Sequence, residues 1–228
     1  MQRELDNARK TFHLPEIHPL IVTPYGISPQ IDNSQAKPSI RVDQGSERKI
    51  ALFLGRVHPK KRPDILIKSW AGADVPRDWR LVIAGPGEPE YLAKLANLVR
   101  QFGIDDAVQF VGPVSGADKR YLFHRALWFL LPSEQENFGI AVLEAVSSGC
   151  ALAISDQVYL ADELPNGTDV LPVRLEAWIR FMHERMTDGT WRDETVKRVR
   201  EHIGDKFSAE RIGKQWVDQI SKVINNQL

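Results

Sequence analysis

Apolar residues along the chain follow two rhythms. Six short runs are almost continuously apolar: "IALFLG" (50–55), "RLVIAG" (80–85), "VQFVG" (108–112), "LWFLLP" (127–132), "ALAIS" (151–155) and "DVLPV" (169–173). Between them, apolar positions fall at helical spacing in "RPDILIKSW", "PEYLAKLANLVRQFG", "GADKRYLFHRA", "FGIAVLEAVSSG" and a short "YLADEL". A strand apolar at successive positions has both faces covered, which is the condition of a parallel sheet between two helix layers. The pattern therefore predicts an α/β domain over 50–173, doubly wound, with a Rossmann-like parallel sheet and helices on both faces.

The flanks break the rhythm. Residues 1–49 hold one strand-like run, "LIVTPYGIS", followed by "DNSQAKPSIRVDQGSER", whose turn formers read as a linker. They are taken as an amino-terminal segment and linker, with 50–228 as the domain. Beyond Val173 the spacing predicts extra carboxy-terminal helices at "LEAWIRFMHERM", "WRDETVKRVREHIG" and "SAERIGKQWVDQISKVI". In the last, Ile212, Trp216, Ile220 and Ile224 draw an apolar stripe that needs a cover. Ser208 and Arg211 make only a weak capping box at its start.

Composition narrows the function classes. The 228 residues carry 30 Lys plus Arg and 30 Asp plus Glu, so no global field draws nucleic acid or an anionic membrane, and any anion site is local. Basic faces with interleaved aromatics are missing as well. A single cysteine, Cys150, rules out an intrachain disulfide. No apolar run is long enough to span a bilayer, and "MQRELDNARK" is too polar for a secretory signal, so the expectation is a soluble cytoplasmic protein. The histidines at 13, 18, 58, 124, 183 and 202 show no metal-ligand spacing.

Ligands of a doubly wound sheet sit outside the carboxyl ends of its strands, so the loops after each strand carry the chemistry. The first such loop, "GRVHPKKRPD", holds Arg56, Lys60, Lys61 and Arg62, either a phosphate site or a solvated basic loop. The second, "AGPGEPE", has Gly85 and Gly87 but lacks the third glycine of a dinucleotide fingerprint; tight-turn geometry explains them equally. In the fourth, "SEQENFGIAVLEAVSSGC", Asn137 is the N-cap candidate, leaving the N–H groups of Phe138, Gly139 and Ile140 free for an anion or hydroxyls. Gly139 costs roughly 1 kcal/mol in a helix relative to Ala, which suits close packing against bare backbone. Glu136 precedes the cap, and Glu144 lies about two turns inside. Eight positions at about 100° each leave Glu144 within a quarter turn of Glu136, so both carboxylates can face one cleft if the loop bends suitably. Glu144 stands among apolar residues and needs partners: vicinal hydroxyls of a ribose, or a local amide or Ser147 or Ser148.

The succession "GRVHPKKR", "LVIAGPGE", "VQFVGPV", "ALWFLLPSEQENFGIAVLEAVSSGCALAISD" and "NGTDVLPV" resembles the carboxy-terminal, nucleotide-sugar-binding half of retaining GT-B glycosyltransferases, the group 1 or family 4 enzymes. The similarity runs from "LIVTPYGIS" to "FSAERIGKQWVDQI". The resemblance implies that Arg56 and Lys61 hold the donor diphosphate. It makes Glu136 the catalytic residue at the reacting side of the donor sugar, with Asn137, Phe138, Gly139 and Ile140 around that sugar. Glu144 falls on the ribose, and Val114 marks where the base is held, largely by main chain.

It further implies a nucleotide sugar as donor substrate, with no cofactor and no metal, and hexose transfer with retention to a saccharide or lipid-linked acceptor in polysaccharide biosynthesis. Three positions depart from the family pattern: Arg62 for Gly, Tyr25 for Asn and Ala151 for Pro. The family's amino-terminal acceptor domain is almost wholly absent from these residues. The expectation is a fragment of a longer enzyme or a split gene, with the acceptor domain supplied in cis or in trans and bringing peripheral membrane association. Alone, such a half should transfer sugar poorly, because reactants must be held across a closed cleft. The rival readings are a non-catalytic nucleotide-sugar-binding module and a GT-B epimerase, whose acid/base set the sequence does not reveal.

Overall fold

The structure, a computed structural model, describes residues 48–137 and 139–225, together with Asp6, Lys10, residues 38–40 and Val42. The strand-like run at "LIVTPYGIS", most of the linker, and Phe138 lie outside the described residues.

All six apolar runs are strands. β1 (Lys49–Leu54), β2 (Trp79–Ala84), β3 (Val108–Gly112), β4 (Ala126–Leu131), β5 (Ala151–Ser155) and β6 (Asp169–Leu171) pair in parallel in the order β3-β2-β1-β4-β5-β6. Ile50 to Phe53 and Leu81 to Ala84 are essentially sealed from solvent, as the continuous apolar pattern requires. The sixth run is shorter than expected. Pro172 has no N–H to give the ladder, and its carbonyl instead accepts from Trp178 Nε1 at 3.1 Å and Arg174 N at 2.7 Å.

The connections are α1 (Pro63–Gly72), α2 (Pro89–Phe102), α3 (Gly116–Arg125) and α4 (Ile140–Ser147), followed after β6 by α5 (Leu175–Glu184), α6 (Gly189–Lys206) and α7 (Ala209–Asn225). "YLADEL" forms a short 3-10 turn, Tyr159–Glu163. Helix α1 packs against α2 and α5, whereas α4 packs against α6 and β5, so the helices cover both faces. Trp128 anchors the core on the α5 side: it is sealed, its ring meets Phe181 edge-on at 4.9 Å, and its Nε1 donates to Met186 O at 3.0 Å.

In α7 Ile212 is buried, whereas Trp216, Val217 and Ile220 are exposed; the side chain of Ile224 lies outside the described residues. Ser208 Oγ accepts from Arg211 N at 3.3 Å, so half of the capping box forms despite the Arg. Among the described residues no helix is long and apolar enough to cross a membrane.

The strand order fixes where a ligand can enter. After β1 the chain moves outward through β2 and β3, then returns to β4 on the other side of β1. The loops leaving β1 and β4 therefore diverge to opposite helix layers, and a crevice opens between them at the carboxyl ends of the strands.

Candidate functional site

The loop after β1 is held by its own polar groups. His58 Nδ1 accepts from Lys60 N at 3.2 Å, a 3-10 turn spans Pro59–Lys61, and Arg62 enters α1 with a left-handed backbone at φ 52°. The Arg62 guanidinium bonds Asp64 at 3.0 Å and Glu134 at 2.7 Å. Burial pushes the Asp64 carboxyl up, but hydrogen bonds from Arg62 and Lys68 more than offset this and leave it below the ordinary range. The same bond to Asp64 raises Arg62 above its ordinary value. Of the four loop cations, Arg62 is thus committed to joining the β1 and β4 loops.

Lys61 spans the crevice. Its Nζ is ion-paired with Glu136 Oε2 and lies 3.3 Å from Gln135 O. Arg56 is 64% exposed, with Glu88 at 3.7 Å across the neighbouring loop, which leaves its guanidinium available to a second anion. Lys60 is exposed.

The loop after β4 is fastened from below. Ser155 Oγ, buried at the end of β5, donates to Ser133 O at 2.5 Å and accepts from Gln157 N at 3.3 Å. Ser133 Oγ, also buried, donates to Gln135 O at 2.8 Å, and Glu134 N bonds Lys60 O at 2.8 Å. Glu136 then forms an isolated parallel bridge with Val158, and Tyr159 N donates to its carbonyl at 3.1 Å.

That bridge overturns two expectations. Asn137 is not the N-cap. The chain stays extended at Glu136, Asn137 is exposed, and α4 begins at Ile140 with Gly139 as cap, at φ 72° and without a side-chain hydrogen bond. Gly139 is needed because the turn into α4 requires the left-handed region, and a Cβ there would press on Val142 at 3.2 Å and Val158 at 3.4 Å. Ile140 is half exposed at the helix start. The angular argument relating Glu136 to Glu144 also fails, because Glu136 is strand-like and outside the helix. The β4 loop, rather than helical period, positions it.

Glu144 is partnered by neither local serine. Ser147 Oγ donates to Leu143 O at 3.0 Å, and Ser148 meets Glu144 only through its backbone N–H. The Glu144 carboxylate instead accepts from Lys119 Nζ at 2.6 Å, with both side chains largely shielded. Lys119 stands in the first turn of α3, after the β3 loop that carries half-buried Val114. Sequence reasoning missed Lys119. Its one available signal was a cation at the start of the helix that follows β3, on the ligand edge of the sheet. In the same turn Asp118 accepts from Ser39 N and Ser39 Oγ at 2.6 Å each and from Ile40 N at 3.2 Å, tying residues 39–40 to α3.

The other candidate features are structural. A Cβ on Gly85 would lie 1.8 Å from Gly55 O, and one on Gly87 would lie 2.9 Å from Val57. These two glycines allow the loops after β1 and β2 to touch each other. Burial pushes the Cys150 thiol up to about 12, and Sγ donates to Phe123 O at 3.2 Å, which makes it a packing residue. A groove of about 620 Å³ between β6 and α5, lined by Asp169, Arg174, Phe181 and Arg185 among others, gathers no residue of the crevice. Position at the strand ends, rather than volume, locates the candidate site.

The fold and the family are independently visible in known proteins. The family described as glycosyl transferases group 1 matches residues 36–167. An uncharacterized glycosyltransferase of Methanocaldococcus jannaschii is 28% identical over 176 residues, covering 75% of this chain and 44% of that protein. The chain spans less than half the length of the curated relatives it matches. Among solved structures, sucrose-phosphate synthase from Thermosynechococcus elongatus superimposes with a TM-score of 0.77 at 19% identity, over 97% of this chain and 57% of that one. Anabaena HepE in complex with UDP and glucose does so with a TM-score of 0.69 at 16% identity, over 77% and 49%. With more than half of its length matched, and a parallel sheet whose switch point gathers Lys61 and Glu136, the chain belongs to the group 1 glycosyltransferase family.

Proposed function

We propose that the chain is the donor-binding half of a retaining glycosyltransferase, which moves a hexose from a nucleoside-diphosphate sugar to a saccharide or lipid-linked acceptor. One observation carries the reading: Lys61 and Glu136 are ion-paired across the β1/β4 switch point, so a cation for a phosphate and a carboxylate for a reacting sugar share one place. Lys61 is a compact point charge suited to the β-phosphate, and exposed Arg56 can add a bidentate contact. Charge grows on the diphosphate as the sugar leaves, so two fixed cations there hold the transition state more tightly than the ground state. The complementary charge develops at the anomeric carbon, where an oxocarbenium-like centre benefits from a nearby carboxylate, the role given to Glu136.

A diphosphate would compete with Glu136 for Lys61, which frees the carboxylate to turn toward the sugar. Backbone groups of residues 138–140 border the sugar in this reading, Glu144 receives the ribose hydroxyls, and the β3 loop at Val114 faces the base. With Arg56 and Lys61 neutralising the diphosphate, the reading calls for no metal. The acceptor belongs to a further domain, so transfer by this chain alone should be weak.

Calorimetric titration of the chain with UDP, GDP and ADP tests the donor site: one of them should bind with micromolar affinity, and failure of all three refutes it. Glu144→Gln should weaken binding of the free nucleotide by about tenfold, as expected for one lost charge-assisted bond. Glu136→Gln should spare nucleotide binding and abolish turnover when an acceptor domain is present. If the chain binds nucleotide sugar and no acceptor half restores transfer, the non-catalytic binding module is the correct alternative.

A further inference from the structure

We propose that Lys119 is a positioning residue that aims the Glu144 carboxylate at the ribose. This rests on the donor-site reading above and adds a residue that the reading does not contain. Among the described residues, Lys119 is the side-chain partner of Glu144, through one carboxylate oxygen, Oε1, at 2.6 Å. Glu144 sits in α4 among Val142, Leu143, Ala145 and Val146, all buried, and its own side chain is 18% exposed. A carboxylate among apolar side chains needs a hydrogen-bonding partner, and its neighbours in α4 offer none. Lys119 supplies that partner from α3, 25 residues earlier in the chain, and is itself 30% exposed.

The geometry has a chemical consequence. An ammonium holding one oxygen restrains the rotamer of Glu144 and leaves the second oxygen as an acceptor. A ribose presents vicinal hydroxyls, which are donors. A charged, oriented acceptor distinguishes a ribonucleotide from its 2′,3′-dideoxy counterpart, because a buried acceptor left without its hydroxyl is penalised. Without Lys119 the carboxylate loses the contact that fixes its direction, and that distinction should fade.

The experiment is a double-mutant cycle on the full chain. It is read by titration with whichever of UDP, GDP or ADP binds most tightly, and with the same nucleotide lacking both ribose hydroxyls. The wild type should favour the ribonucleotide by at least tenfold. Lys119→Met should reduce that preference to about twofold or less, Lys119→Arg should retain most of it, and Lys119→Met should change nothing further in a Glu144→Gln background. A direct contact from Lys119 to phosphate or base would weaken both ligands equally and leave the preference intact, which overturns the proposal. Additive losses in the cycle overturn it too. Circular dichroism melting separates a folding defect: a Lys119→Met chain that melts like the wild type yet keeps full preference refutes positioning. A wild type that binds nucleotide without any ribose preference refutes it while sparing the donor site. A wild type that binds no nucleotide removes both.

Discussion

Replacing Gly85 by Ala tests whether the loops at the ligand edge are held by their own backbone or shaped for a ligand. The Gly85 φ is +135°, outside the range of an L residue, which costs about 1–3 kcal/mol by itself. The new Cβ would stand 1.8 Å from Gly55 O and 2.7 Å from Gly55 C, so the ends of β1 and β2 must separate. That separation disrupts Gly55 N to Ala84 O at 3.0 Å and Gly85 N to Gly112 O at 2.7 Å, each worth about 1–3 kcal/mol when left unmade in the interior. Together these come to about 3–9 kcal/mol. At about 2–4 °C per kcal/mol for a chain of this size, the melting midpoint should fall by at least about 6 °C. Gly189→Ala, at the start of α6 with nothing within 4 Å of its Cβ, is the control and should melt within about 2 °C of wild type. If Gly85→Ala also melts within that margin but loses nucleotide binding, then the glycine serves a ligand, and the packing explanation is wrong.

Two other perturbations probe the supports of the crevice. Asp64 titrates below its unfolded value of ~3.9, so its stabilisation is full above that pH and is lost as pH falls through the folded pKa. Asp64→Asn should therefore flatten the acid limb of stability below about pH 4, read from urea midpoints between pH 2.5 and 7; an unchanged limb would contradict the pairing with Arg62 and Lys68. Ser155→Ala strips the donor from Ser133 O and the acceptor from Gln157 N, at a cost of about 1–3 kcal/mol, or about 2–12 °C in midpoint. A loss under about 1 °C would show that water replaces the hydroxyl.

The sheet was legible because its signal is local. β3 and β5 run over the residues their apolar runs marked; β1, β2 and β4 start and end one residue earlier, at Lys49, Trp79 and Ala126, and β6 stops two residues short, where Pro172 ends it. Gly85 and Gly87 were open to two explanations in sequence, and only the approach of the β1 loop decides for packing. The misread start of α4 has a similar cause. Asn137 has the right chemistry for a cap, but the bridge from Glu136 to Val158 keeps the chain extended and moves the turn to Gly139. Lys119 was missed because an ion pair between the first turn of α3 and the middle of α4 has no sequence periodicity, and its place at the start of α3 was the one signal it left. Lys61 and Glu136, which the resemblance assigned separately to the donor diphosphate and the donor sugar, come from loops that the strand order makes adjacent. The sequence nominated each of them alone, and topology supplied the meeting.

The ties beneath the crevice have a thermodynamic consequence. Arg62 to Glu134, Glu134 N to Lys60 O and Ser155 to Ser133 join three separate loops into one unit before any ligand arrives. Ordering a loop upon binding costs about 1–2 kcal/mol of backbone entropy per residue. Here that ordering is completed during folding, so in the proposed reading the free energy of nucleotide contacts would go into affinity rather than into loop closure. A movement bringing an acceptor to the proposed donor site would then displace this edge as a single body, because the ties join its loops.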